Sequence, residues 1–222
     1  MNKVYKYLTF SPAMLEMLKG YGEVARHKKG TYIFRDKYHD SFVHVLLCGK
    51  ASICKMNGKG EQRTIFILDS PALLNEPAAQ GLSSSSDCIA FDDCRVLSVD
   101  TKKFFDLMAG DFELTKVVVD QISHKTRRMY RQLKNTVGTT RAEKKLAAKL
   151  WKLCRDYGTE AKDGVLIDID ITSTSLANLI GIRRETVSRA LGILQDEGLI
   201  VYQKRKIVVL SPEELSKYFK SM

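Results

Sequence analysis

Four residues in the C-terminal third of the chain, Arg184, Glu185, Ser188 and Arg189, have types and spacing suited to the edges of base pairs. An arginine fork offers two N–H donors to the O6 and N7 acceptors of guanine, and a glutamate accepts from the N4 amine of cytosine. On a helical wheel, Arg184, Ser188, Glu185 and Arg189 fall at roughly 0°, 40°, 100° and 140°, so one polar stripe carries all four. Val187, Ala190, Leu191 and Leu194 fill an unbroken apolar arc on the other side, which sends the polar stripe outward. The alternative for such a stripe is a solvated face with an i,i+4 pair between Glu185 and Arg189.

The elements that must hold this helix are legible around it. Ala177, Gly181 and Val187 are spaced as a helix-turn-helix requires: a small residue lets two helices approach, a glycine enters the left-handed region at the turn, and a branched apolar residue plugs the joint. Leu176, Leu179, Ile180 and Ile182 complete the inner side. Leu199 to Gln203 and Ile207 to Leu210 then read as a hairpin whose tip, Lys204, Arg205 and Lys206, is cationic. Such a wing suits phosphates, which supply affinity and register but not sequence choice.

The span Ile171 to Ile200, IT-x3-LA-x-LIG-x-x-RETVSR-x-L-x-x-L-x-x-EGLI, resembles the Crp/Fnr superfamily, the relatives of the cyclic AMP receptor protein and the fumarate-nitrate reduction regulator. The resemblance implies base reading by Arg184, Glu185 and Arg189. Ser188 matches the fumarate-nitrate type instead, so the helix mixes two patterns. From that mixture we expect a palindrome with TGA-type half-sites, with Arg189 on the guanine and Glu185 on the paired cytosine. Backbone contacts are implied for Thr172, Thr174, Arg183, Thr186, Gln203 and Arg205, with Lys204 beside them at the wing tip. The resemblance also implies a bacterial regulator of transcription, a homodimer, and RNA polymerase as a partner.

Composition agrees with this reading. The chain has 222 residues, 44% apolar, enough for two small domains. Its net charge of +10 is uneven: residues 1 to 110 hold 15 Lys and Arg against 12 Asp and Glu, and residues 111 to 222 hold 21 against 14. The basic half is the one expected to meet a polyanion. The opening MNKVYKYLTFSPAM has no apolar core of signal-peptide length and no later segment approaches a membrane span, so a cytoplasmic protein without a membrane partner is expected.

Five cysteines without a C-x-x-C, and no His pair at ligand spacing, imply neither a disulfide framework nor a metal site. Family members that hold an iron-sulfur cluster use cysteines near the N-terminus. The first here is Cys48, so that cluster is not expected. In the N-terminal domain Asp92-Asp93 is the one close carboxylate pair and fits a turn better than a metal centre, so enzyme chemistry on DNA is not expected either.

The fold class expected is α+β. An N-terminal antiparallel β-roll of jelly-roll, cyclic-nucleotide-binding-like form (1–110) precedes a long dimerisation helix (111–137) and a C-terminal winged helix-turn-helix (138–222). Ser11-Pro12 opens a short helix to about Gly20. Thr31–Phe34, Phe42–Leu47, Ala51–Lys55, Gln62–Leu68, Asp87–Phe91 and Arg95–Val99 read as strands parted by turn signals at Lys29-Gly30, Gly49, Asn57-Gly58 and Gly60. The run KKGTYIFRDKYHDSFVHVLLCGKASI is similar to the start of the family's sensor domain, with Lys37 where the family usually has glycine.

From Asp111 to about Thr136 a heptad seam runs through Phe112, Thr115, Val119, Ile122, Thr126, Met129 and Leu133. It suits a parallel dimer, or packing on the chain's own roll. A loose stretch, Asn135 to Thr140, reads as a hinge, and Thr140 with Glu143 as a capping box for a helix to about Tyr157 whose apolar side holds Leu146, Leu150, Trp151, Leu153 and Cys154. Ser211-Pro212-Glu213-Glu214 starts a terminal helix.

The resemblance suggests a cyclic nucleotide as effector, but the residues argue against one. Asn75-Glu76 stands where nucleotide binders have Gly-Glu, the phosphate arginine is missing, and no Lys, Arg or His occurs from Thr64 to Cys94. Cations of the long helix, Arg127, Arg128 or Arg131, could serve from outside the roll. The segment Pro71 to Ser86 instead suits an uncharged molecule, in a pocket built from Leu73, Leu74, Asn75, Glu76, Ser86 and Asp87 with Tyr130. A thiol switch through Cys48, Cys54, Cys88 or Cys94 and a ligand-independent DNA binder are the alternatives; the four histidines have no spacing that recommends haem.

Overall fold

Ser11 folds its hydroxyl onto the Met14 N–H at 3.2 Å and Pro12 presets the first turn, which starts α1 (Pro12–Lys19) as its sequence requires. The computed structural model describes residues 8–58, 60–77, 82–134 and 141–220, without the side chains of 133 and 134. These fall into two compact units, 1–137 and 138–222.

The first unit is a β-roll of eight antiparallel strands, β1 (Gly22–His27), β2 (Tyr32–Phe34), β3 (Phe42–Cys48), β4 (Lys50–Met56), β5 (Gln62–Asp69), β6 (Ala72–Leu73), β7 (Asp87–Ala90) and β8 (Cys94–Asp100). They form two sheets, ordered β1-β8-β3-β6 and β2-β7-β4-β5. Strand alternation sends Leu46, Val96 and Ala72 to a core shared with Phe34, Ile53 and Phe66 of the second sheet. The intervening residues Val43, Val45, Leu97 and Val99 face the opposite way, onto Leu18 of α1, Phe104 of α2 (Thr101–Gly110) and Leu114, Val117 and Val118 of α3 (Phe112–Lys134). The first half of the long helix is thus part of the roll's own core.

Three elements of this unit lie outside the sequence expectations. β1, GEVARH, is a sheet-edge strand with both faces largely exposed, so it lacks an apolar alternation to reveal it. β6 is two residues long, and α2 follows β8 directly, with Asp100 capping Lys103 N–H at 3.0 Å. At Lys37 the backbone is left-handed (φ 63°), and its N–H is tied to Ser84 O at 2.8 Å. A side chain there is strained by roughly 1–2 kcal/mol, which is why glycine would suit the position better.

The second unit contains α4 (Ala142–Tyr157), β9 (Gly158–Ala161), β10 (Gly164–Ile167), α5 (Ser173–Ile180), α6 (Arg184–Asp196), β11 (Ile200–Gln203), β12 (Lys206–Val209) and α7 (Pro212–Lys220). Leu146 and Leu150 of α4 are fully buried, as are Ile167, Ile171, Leu176, Val187, Leu194 and Ile207. Trp151 is half-buried and meets Phe219 of α7 edge-on at 6.1 Å. The wing is larger than expected: β9 and β10 extend the hairpin into a four-stranded sheet, β11-β12-β10-β9. Asp163-Gly164 was its sequence signal. At Gly164 (φ 146°) an added Cβ would meet Val209 O at 2.3 Å, so only glycine fits beneath the neighbouring strand.

The expected capping box is corrected in part. Arg141, with no side-chain bond, occupies the cap position of α4, while Thr140 and the expected hinge, 135–140, lie outside the described residues. Among the described residues no helix is long and apolar enough to cross a membrane.

Candidate DNA interface and effector site

The helix-turn-helix is held by local chemistry. Thr172 caps α5, its Oγ1 accepting from Ser175 N–H at 3.0 Å. Gly181 ends α5 in the left-handed region (φ 77°, ψ 40°) and donates its N–H to Ala177 O at 2.8 Å. α6 begins three residues later, with Val187 completely buried in the joint and Ala190, Leu191 and Leu194 buried behind it. Arg184, Glu185, Ser188 and Arg189 are all exposed, and among the described residues no ion pair joins Glu185 to Arg189. The stripe is therefore open for an external partner rather than closed on itself.

Of the expected backbone contacts, Thr174, Arg183, Gln203, Lys204 and Arg205 are exposed, and Thr172 and Thr186 are half-buried. Lys204 and Arg205 form the two-residue wing turn, both left-handed (φ 49° and 64°), where Asn-Gly would be easier. Strain of this kind is retained where a side chain is needed at the spot, and two cations at a wing tip meet that condition. Arg205 lies 3.8 Å from Asp170 and Lys206 lies 3.6 Å from Asp168. These pairs are too exposed to hold either cation firmly.

The expected α3 seam is divided: part of it is exposed, while Ile122 packs against the roll's own core. Phe112, Val119 and Met129 are exposed, Phe112 by 72%, and Thr115, Ile122 and Thr126 are half-buried. The roll is otherwise met by Leu114, Val117, Val118, Gln121 and Lys125, on the other side of the helix. The Leu133 side chain lies outside the described residues.

In the roll, a cavity of about 200 Å³ is bounded by Asp40, Phe42, Asn75, Glu76, Leu82, Ser83 to Ser85 and Thr101. Asn75 and Glu76 were expected here. Leu73 and Leu74 belong to the two cores, and Ser86 and Asp87 are buried, Asp87 Oδ1 accepting from Asp36 N–H at 3.0 Å. Tyr130 stands exposed on α3. Sequence reasoning missed Asp40 and His44. His44 Nε2 lies 2.6 Å from Asp40 Oδ2, and its Nδ1 lies 2.9 Å from Ser98 Oγ. Asn75 is locked to the same strand, accepting from His44 N–H at 2.9 Å and donating to Phe42 O at 2.7 Å. Burial works to raise the Asp40 carboxyl, but the hydrogen bond and charge of His44, with Phe42 N–H, outweigh it and leave the group below its usual value.

Among the described residues no Lys, Arg or His lines this cavity. The cations of α3 are elsewhere: Lys125 is buried and donates to Leu74 O at 3.2 Å, Arg128 lies over the Phe66 ring at 4.7 Å, and Arg127 and Arg131 are exposed. Lys125 and Arg128 instead border a void of about 10 Å³, room for one water at most. Burial pulls the Lys125 amine down to about 8, although Glu76 and Cys88 work against it. The spacing Gln121, Lys125, Arg128, a polar i, i+4, i+7 series beside the apolar stripe, was the available signal. A phosphate in the larger cavity would face Asp40 and Glu76 with no Lys or Arg among the described lining residues to pair with it, so the residues present do not fit a cyclic nucleotide.

The thiols are mostly inert. Cys54, Cys88, Cys94 and Cys154 are buried, and burial raises Cys88 strongly, Cys94 to about 11, and Cys154. Cys48, half-buried, accepts from Arg95 Nε at 3.2 Å. Among the described residues no group of three or more His, Cys, Asp or Glu could hold a metal ion.

Known proteins place this architecture. Residues 24–111 match the cyclic nucleotide-binding domain family and residues 144–218 the Crp-like helix-turn-helix domain family. The global nitrogen regulator of Synechococcus elongatus is 27% identical over 89% of this chain and 90% of its own. The anaerobic regulatory protein of Bacillus subtilis is 25% identical over 90% and 84%. Among solved structures, the c-di-GMP-responsive global regulator CLP of Xanthomonas campestris superposes with a TM-score of 0.80 at 15% identity, over 90% of this chain and all of that one. A CooA mutant of Carboxydothermus hydrogenoformans gives 0.78 at 16% identity, over 92% and 90%. With an effector-type β-roll ahead of a Crp-like reader of DNA, and relatives that are regulators rather than enzymes, the chain belongs to the Crp/Fnr superfamily of transcription regulators.

Proposed function

We propose that two copies of this chain, joined along the exposed seam of α3, bind a palindrome with TGA-type half-sites in the cytoplasm and regulate transcription through RNA polymerase. The reading is carried by one observation: Arg184, Glu185, Ser188 and Arg189 stand exposed on α6 while its other side is completely buried. In this reading Arg189 contacts the guanine and Glu185 its paired cytosine, Arg184 and Ser188 tune neighbouring positions, and the wing tip grips phosphates. A twofold pair sets its recognition helices about 34 Å apart, one turn of the duplex. Residues 1–110 then serve as sensor, 111–137 as dimerisation helix and 138–222 as reader.

The sensor responds to a small molecule other than a cyclic nucleotide, because the cavity's walls are acidic and hydroxylated. Binding titrations of the full chain against a TGA palindrome, a palindrome with the guanine replaced, and one half-site test the proposal together with a mass measurement of the complex. Equal affinity for all three duplexes, or one chain per palindrome, would overturn it.

A further inference from the structure

On the reading that the wing tip grips phosphates, we propose that Asp168 and Asp170 are positioning residues for that grip. They hold Lys206 and Arg205 in place and compete with the duplex for them, which restrains the sequence-independent share of DNA affinity.

The segment Ile167 to Ile171, I-D-I-D-I, alternates apolar and acidic residues as an extended chain with one buried face does. Ile167, Ile169 and Ile171 are buried, the first and last of them completely. With three isoleucines fixed inward, the alternation turns both aspartates toward the surface. Their position along the wing is set by the strand ladder. Ile167 ends β10 opposite Ile207 of β12, so Asp168 comes next to Lys206. Asp168 N–H is held by Tyr157 O at 2.8 Å, and Ile171 N–H donates to Arg205 O at 3.2 Å. Asp168 Oδ1 then lies 3.6 Å from Lys206 Nζ, and Asp170 Oδ2 lies 3.8 Å from Arg205 Nη1.

Two acids thus face two of the cations that suit this tip to a polyanion. The backbone bonds and the β11–β12 ladder already shape the tip, so the carboxylates are not needed to form the turn. Their effect is electrostatic. A phosphate that takes Arg205 or Lys206 must displace a carboxylate and then sits beside its like charge. Exposed pairs at these separations are weak enough to exchange. They oppose phosphate whatever the neighbouring bases, because the DNA backbone carries no direct sequence information.

Fluorescence anisotropy of the full chain over a salt series, on the TGA palindrome and on an unrelated duplex of equal length, tests this role. Asp168→Asn with Asp170→Asn should tighten binding to both duplexes at least about threefold at low salt, since each copy gives up two weak ion pairs. The gain should shrink as salt rises, which a merely structural role would not produce. Asp168→Glu with Asp170→Glu keeps the charges and should bind as the parent does. Asp168→Asn alone, at the more exposed acid, gives the same reading in smaller measure if the double variant melts early. Adding Arg205→Gln and Lys206→Gln should abolish the gain, because the acids act through those cations. A gain that survives their loss, a gain on the palindrome alone, or no gain on either duplex would overturn the assignment. Arg205→Gln with Lys206→Gln at parental affinity would sink the wing's grip and this role together, whereas weaker binding by that variant without a gain from the asparagines sinks this role alone. Equal parental affinity for the two duplexes counts only against the TGA reading, and the variants still decide what the acids do.

Discussion

Replacing Arg189 with alanine isolates the base-reading claim, because the structure separates its effect on DNA from any effect on folding. Arg189 is exposed on α6, and among the described residues it makes no ion pair, so the folded state should change by no more than about 0.5 kcal/mol. On DNA a bidentate arginine-guanine contact is worth about 1–3 kcal/mol, and the twofold complex makes it twice, so the palindrome should lose about 2–6 kcal/mol. That is a fall in affinity of roughly 30-fold to 10⁴-fold, at a tenfold change per 1.4 kcal/mol. Fluorescence anisotropy at fixed salt, with wild-type and guanine-replaced palindromes, gives both numbers. The variant should bind the two duplexes alike. A variant whose affinity and discrimination both match the parent would refute the placement of Arg189 on the guanine, and with it the reading of the polar stripe.

Four further outcomes follow from particular residues. Glu185→Ala should cost little affinity for the palindrome and relax choice at the paired cytosine, as read by selection from a randomised duplex. Val119→Asp puts a charge on the exposed seam and should shift the chain from dimer to monomer in sedimentation without lowering the melting temperature of the isolated fold; an unchanged dimer would exclude the seam. Lys37→Gly relieves the left-handed strain and should stabilise the roll by at most about 1 kcal/mol, seen as a rise of about 2–4 °C in melting. Lys125 carries a depressed amine, about 8 against the usual 10.5, so the unfolded chain binds its proton more tightly across that interval. Stability should therefore rise with pH between about 8 and 10.5 by about 3 kcal/mol relative to Lys125→Met. The comparison with Lys125→Met is essential because Cys94, raised to about 11, and Cys88 act in the opposite direction above about pH 9. A wild-type curve parallel to that of Lys125→Met would show that the amine is not desolvated.

The DNA-reading half was nearly complete in the sequence because its constraints are local. Gly181 must be left-handed, Val187 must fill the joint, and the polar and apolar arcs of α6 follow from 100° per residue. The hairpin β9–β10 was missed although Asp163-Gly164 lies where its turn, Lys162-Asp163, meets β10, since its four-residue strands carry little periodicity of their own. In the roll, β-rich segments set between turn signals, such as β3 and β4, were legible, while β1 was not, because an exposed edge strand has no buried face to write a pattern.

The sequence by itself determined the reader and its charge, the antiparallel roll, and the missing cation in the segment from Thr64 to Cys94, all of which depend on residue type and near-neighbour spacing. Only the tertiary structure decided which side of α3 serves the roll and which is left exposed, for both sides carry apolar residues and burial alone distinguishes Val118 from Val119. It also decided that Leu73 and Leu74 are core, and that Asp40, far from Glu76 in sequence, stands at the same cavity with His44 fixing its carboxylate. Sites of that kind are closed by strand pairing between distant segments, and no local periodicity records which distant segments will meet.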